Sequence, residues 1–217
     1  MIPLRDNVKP DIIPFVTVSL IAANALIFWQ ELIQTPAGLK AWMEVFGLVP
    51  ASLTAAVAAG SLDPTTYFPL LTNLFLHGGW LHIIGNLWFL WLFGHSVEYC
   101  LGHFNFIAFY FVCGIIANLT QVFFDPSSSV PVIGASGSIS GILGAYAVCF
   151  PRAKIQTLLP LFFIFTIVEI PAPIFLGIWF FYQIQSGAAS VSGIAWWAHI
   201  GGFLAGALLN RLLIRKS

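Results

Sequence analysis

The stretch "GASGSISGILGAYAVCF", residues 134–150, opens with three glycines and three serines in eight residues and then turns apolar. A segment that only anchored a chain in lipid would carry Leu, Ile and Val at its start. From Ser136 to Phe150 are 15 residues, about 22 Å of helix, against about 30 Å for a bilayer's hydrocarbon core. Pro151 and Arg152 end the segment, so its start is expected several ångströms below the opposite surface. The loop before it must then dip inward, which membranes tolerate only where backbone is buried in protein or lines a watery cavity. The first turn of such a helix offers unpaired N–H groups and the positive end of the helix dipole. Gly134 and Gly137 allow a tight turn and close approach of other backbone, and Gly137 with Gly141 makes a small-xxx-small pair.

Working outward, the chain is 59% hydrophobic and 7% charged over 217 residues. Soluble domains carry about 25% charge, so the solvent for this chain is lipid. Zero formal net charge gives no reason to expect nucleic acid. The apolar runs predict an all-α membrane protein: a six-helix bundle with spans near 12–33, 77–98, 104–124, 136–150, 168–186 and 195–214, in one domain covering 1–217. A long stretch, 34–72, is expected at the membrane interface. Residues 155–170, broken by Pro160, are expected as an apolar loop or helix extension. The six-span count follows from charge: Arg5, Lys9, Arg152, Lys154, Arg211, Arg215 and Lys216 then fall on one side and only Lys40 on the other, as the positive-inside bias requires.

Polar groups inside spans are costly and mark sites by default. They cluster in "HGGWLHIIGN", "GASGSISG" and "WWAHIGGFLAG". His82 and Asn86, four apart, share a helix face, and His77 sits at that helix's mouth. His199 lies a few residues into the last span, followed by Gly202 and Gly206, which with Ala198 form a second close-packing stripe. With this topology Ser136, His199, His82 and Asn86 all fall in the outer halves of their helices. A hydroxyl needs a base to become a nucleophile, and imidazole is the usual one. Amide and imidazole donors can hold an oxyanion.

With these residues in place the chain resembles the rhomboid family of intramembrane serine proteases. The matching stretches are "FGLVPASL" (46–53), "LTNLFLHGGWLHIIGNLWFLWLFGHSVEYCLG" (71–102), "GASGSISGILGAYAVCFPRAKI" (134–155) and "WWAHIGGFLAG" (196–206), in family order. The resemblance implies a Ser136–His199 dyad. It implies an oxyanion hole of His82, Asn86 and the Ser136 backbone N–H, with His77, Gly134, Gly137 and Gly202 in support. It implies an acyl-enzyme, single-pass transmembrane substrates taken from the bilayer, and no metal or cofactor. A non-catalytic relative that binds membrane helices without cutting them is the alternative. The chain departs from many members at "PTTYFPLLTN" (64–73), where a Trp-Arg pair is usual, and at Ser140, where some carry an aromatic residue.

Other polar residues read as structural. Glu98, between Gly94 and Gly102, is expected to be a buried hydrogen-bonding group, and His95 and His103 interfacial. Glu169 is set aside as a third catalytic member. Cys100, Cys113 and Cys149 are odd in number and lie in or beside spans, so they are expected as small core residues rather than a disulfide framework. The "SGAASVSG" stretch, 186–193, is expected to form a lid. A metal-dependent protease would need H-E-x-x-H, which is absent. An aspartyl one would need two aspartates inside spans. The minimal six-span pattern points to a prokaryotic plasma membrane with both termini cytoplasmic.

Overall fold

A computed structural model describes residues 1–161, 164–189 and 193–213. The order of elements is β1 (Ile2–Asp6), α1 (Phe15–Leu32), α2 (Pro36–Phe46), α3 (Pro50–Ala58), α4 (Pro69–Thr72), α5 (Trp80–Leu101), α6 (His103–Phe124), α7 (Ser136–Cys149), β2 (Lys154–Leu161), β3 (Ile164–Pro171), α8 (Ala172–Ala188) and α9 (Trp196–Leu213). Each segment expected as a span contains a helix. Among the described residues, α1 and α6 are long and apolar enough to cross a membrane by length and composition, and α7 is a shorter apolar helix. Large apolar side chains point outward from several helices, among them Trp29 on α1, Trp91 on α5, Phe123 on α6, Phe181 on α8 and Leu208 on α9. Water would penalise such an exterior.

Helix α7 is the hub, and every residue from Gly137 to Tyr146 is buried. It lies against α9 so closely that a Cβ on Gly202 or Gly206 would overlap the carbonyl of Gly137 or Gly141, and one on Gly144 would overlap the Phe203 carbonyl. This is small-residue packing taken to backbone contact. Around it, Phe93, Tyr110, Ile142, Leu143, Tyr146 and Phe175 fill the core, with Phe93 and Tyr146 edge to face at 5.0 Å. Gly102, at φ +78°, joins α5 to α6 in one residue; only glycine adopts that backbone freely.

Glu98 is fully buried and satisfies the start of α1. It accepts from the backbone N–H groups of Val16 (3.1 Å) and Thr17 (2.8 Å) and from the Thr17 hydroxyl (2.6 Å), and it meets His103 Nδ1 at 2.6 Å. The carboxylate therefore caps one helix from another.

Two expectations are corrected. Residues 155–161 and 164–170 form neither a loop nor a helix extension: they lie in the antiparallel strands β2 and β3, to which β1 adds a third strand in the order β1-β2-β3. Pro160 disfavours helix, and the β-branched residues Ile155, Thr157, Thr166, Ile167, Val168 and Ile170 suit strands. The helix expected from residue 168, α8, consequently begins at Ala172, with Pro171 as its N-cap and Pro173 in its first turn, where proline is tolerated. Secondly, Cys100 and Cys149 form a disulfide with their Cα atoms 6.7 Å apart, while Cys113 stays a free, buried thiol. Cysteine count could not reveal that α5 and α7 bring their C-terminal ends together.

At that same end Asp6 of β1 accepts from Tyr146 Oη (2.6 Å) and Ser96 Oγ (3.3 Å), fastening the sheet to α7 and α5. Glu169 lies on β3, where it meets Lys154 (3.5 Å) and Gln156 (3.4 Å). Within 186–193, Ser186 to Ala188 belong to α8 and residues 190–192 lie outside the described residues, so the lid expectation falls partly there.

Candidate active site

Ser136 is the first residue of α7. The segment leading to it is pinned from the side of the first loop. Leu48 and Val132 pair through both backbone hydrogen bonds (3.0 and 2.7 Å), and the Gly134 N–H donates to the Asn73 carbonyl (2.8 Å). The Asn73 and Asn118 side chains exchange two hydrogen bonds of 2.9 Å each; Asn73 Nδ2 also reaches the Val132 carbonyl (3.3 Å) and Asn118 Nδ2 the Leu70 carbonyl (2.9 Å). This buried amide pair anchors "PTTYFPLLTN" to α6, in a stretch that lacks the Trp-Arg pair. Gly134 itself has φ +116°, the region that favours glycine.

Helix α9 brings His199 to the hydroxyl: His199 Nε2 lies 2.9 Å from Ser136 Oγ, and both residues are half-buried. The other ring nitrogen, Nδ1, lies 2.8 Å from Gln183 Oε1 on α8. Trp179 and Trp196 flank the imidazole with ring centroids at 6.3 and 6.0 Å. Ser140 donates to the Ser136 carbonyl (2.7 Å) and packs beneath α9, where a Cβ on Gly202 would stand 3.3 Å from its own Cβ. A small residue suits that position, and the aromatic surfaces come instead from α8 and α9.

On α5, His82 and Asn86 face Gly134: a Cβ there would stand 2.7 Å from His82 Nε2 and 3.7 Å from Asn86 Nδ2. The Gly78 N–H donates to His82 Nδ1 (3.3 Å), which leaves a neutral His82 with its proton on Nε2, directed at the segment before Ser136. Asn86 donates to the His82 carbonyl (3.0 Å) with one amide hydrogen and has a second to offer. The Ser136 N–H, at the first position of α7, has no intrahelical partner. These donors converge next to a hydroxyl–imidazole pair, an arrangement able to generate an alkoxide nucleophile and hold an oxyanion.

His77 is buried. Its ring packs edge to face on that of His82 at 5.1 Å, and its backbone N–H donates to the Glu31 carboxylate (3.0 Å). Gly137 and Gly202 sit at the α7–α9 contact. Glu31, Gln183, Asn73 and Asn118 were not singled out in the sequence. Three of them, Glu31, Gln183 and Asn118, are polar groups inside apolar runs, the same signal that marked His82 and Asn86. Among the described residues no group of three or more His, Cys, Asp and Glu side chains could hold a metal ion.

The fold and these residues define a helical membrane protein with a serine–histidine pair at the start of a buried helix. The Rhomboid domain profile matches residues 64–216, and the chain belongs to the rhomboid family. It is 30% identical over 155 residues to rhomboid protein 1, mitochondrial, of Saccharomyces cerevisiae, covering 66% of this chain and 41% of the relative. It is 29% identical over 148 residues to the presenilin-associated rhomboid-like protein, mitochondrial, of Mus musculus, covering 66% and 35%. A zebrafish (Danio rerio) relative, presenilin-associated rhomboid-like protein A, mitochondrial, is 28% identical over 144 residues, covering 64% and 34%. The chain thus spans about two fifths or less of the length of these relatives. They correct the expectation of a prokaryotic plasma membrane with cytoplasmic termini, because all three are mitochondrial proteins. Charge bias and span count distinguish the two sides of a bilayer; they carry no information about which membrane it is.

Proposed function

We propose that this chain is an intramembrane serine endopeptidase of six spans in one domain, in a mitochondrial membrane, cutting single-pass membrane proteins. The observation that carries this reading is the 2.9 Å approach of Ser136 Oγ to His199 Nε2, between helices held at backbone contact. Pairing of β1 with β2 supports one basic face, since it brings Arg5 and Lys154 to one end of the bundle.

The chemistry follows from the donors and acceptors. His199 Nε2 takes the Ser136 proton as Oγ bonds to the scissile carbonyl carbon. The oxyanion is held by the Ser136 N–H, the His82 Nε2–H and the free Asn86 hydrogen. The imidazolium gives its proton to the leaving amine, the C–N bond breaks, and an acyl-enzyme remains. Water, deprotonated by His199, then releases the acid. A substrate helix has its peptide groups locked in hydrogen bonds, so its scissile stretch must unwind first, and small or helix-breaking residues there are favoured. Entry is from lipid beside α5 and α8, the helices that carry His82, Asn86 and Gln183.

The test is cleavage of a panel of transmembrane reporters by purified protein. Ser136→Ala should abolish cleavage while the protein keeps its fold, and His199→Ala should do the same. Wild-type cleavage by Ser136→Ala would refute the reading, and a folded wild type that binds reporters but cuts none would favour the non-catalytic alternative.

A further inference from the structure

We propose that Gln183 is a positioning residue: its side-chain oxygen holds the Nδ1 proton of His199 and thereby keeps Nε2 bare toward Ser136. This rests on the serine–histidine reading above and deepens it.

The argument is one of donors and acceptors. Gln183 is 3% exposed and sits one helical turn after Trp179 on α8. Its Nε2 donates to the Trp179 carbonyl (3.2 Å), and its Oε1 lies 2.8 Å from His199 Nδ1. Turning the amide over would set Oε1 against the Trp179 carbonyl, two acceptors facing each other. That backbone carbonyl therefore fixes which end of the amide meets the histidine. An amide oxygen can only accept, so Nδ1 must carry the hydrogen. A neutral imidazole carries one, so Nε2 is left as the acceptor, 2.9 Å from the Ser136 hydroxyl. These are the two hydrogen bonds of the imidazole among the described residues.

An aspartate or glutamate in this position would orient the ring equally well. It would also place a charge among apolar helices, which costs free energy unless the charge is paired. The amide delivers the tautomer without the charge. It also leaves the imidazolium that forms during catalysis without a carboxylate to stabilise it. Among the described residues, the other titratable group whose charge acts on His199 is His82 on α5.

The experiment has a spectroscopic and a kinetic arm. In wild-type protein labelled with 15N-histidine in detergent micelles, the His199 signals, assigned by their loss in His199→Asn, should show the hydrogen on Nδ1. A neutral ring with the hydrogen on Nε2 would overturn the proposal without any Gln183 variant. In Gln183→Leu the ring should populate both tautomers, and kcat should fall about tenfold, the worth of one buried hydrogen bond, with KM unchanged. Gln183→Glu keeps the acceptor and adds a negative charge that favours the imidazolium. It should restore kcat at high pH and move the acidic limb of the kcat/KM profile upward. Wild-type kcat in Gln183→Leu, or a wild-type pH profile in Gln183→Glu, would overturn the proposal. Should Gln183→Leu fail to fold, the wild-type tautomer and the near-isosteric Gln183→Glu decide the matter. Failure of the parent reading shows separately, as undiminished cleavage by His199→Ala.

Discussion

His199 is gripped from two sides, and the two grips differ in kind. Toward α7 the contact is backbone on backbone: the Gly137 and Gly141 carbonyls occupy the places where Gly202 and Gly206 would carry a Cβ. Toward α8 it is made by side chains: the His199 Nδ1–H donates to Gln183 Oε1 (2.8 Å) beside the Trp179 ring. That helix exposes Phe181 and Tyr182 along its length, and a Cβ on its Gly177 would meet nothing within 4 Å. The difference separates two tasks. The distance from hydroxyl to imidazole is set by packing that cannot relax without moving a helix, while the ring's protonation pattern is set by a group that one substitution can remove.

Several substitutions break or sharpen that contrast. His199→Ala removes the group both sides hold, and reporter cleavage should fall by about a thousandfold or more, with the melting temperature little changed. Asn86→Ala leaves both grips intact and should cost about 2.7–4 kcal/mol of transition-state stabilisation if this amide is a principal oxyanion donor, read as kcat/KM. Gly206→Ala drives a methyl group into the Gly141 carbonyl and should cost about 1–3 kcal/mol of stability, measured by thermal unfolding in detergent, with activity falling in parallel as the dyad opens. Asn118→Leu leaves the Asn73 amide without its buried partner and should cost about 1–3 kcal/mol, loosening the segment before Ser136. Gly177→Ala is the counterpart to Gly206→Ala: the same change on the unpacked face of α8 should raise stability by about 0.5–1 kcal/mol. Equal effects of the two glycine substitutions would contradict the contrast.

The sequence made the hydroxyl, the imidazole and the α5 donors legible because each is polar where lipid demands apolar groups. The glycine stripe was legible for a related reason, since Gly137, Gly141, Gly202 and Gly206 recur at four-residue spacing. The rule that exposed His82 and Asn86 applies equally to Glu31, Asn118 and Gln183, whose partners depend on which helices become neighbours, and spacing along one chain does not carry that. The β1–β2–β3 sheet was hidden because one of its two strand pairings comes from residues 2–6, some 150 positions from their partners, and because an apolar run broken by proline reads alike as loop, helix end or strand. The Cys100–Cys149 bridge was hidden for the same reason: it records an encounter between two helix ends.

The central claim is that Ser136 is made nucleophilic by His199. A fluorophosphonate probe on the purified protein, read by mass spectrometry, tests it directly. The account predicts a phosphonyl adduct on Ser136 in the wild type and none in His199→Ala. An unlabelled Ser136 in folded wild-type protein, or labelling that proceeds at the same rate without the imidazole, would contradict it.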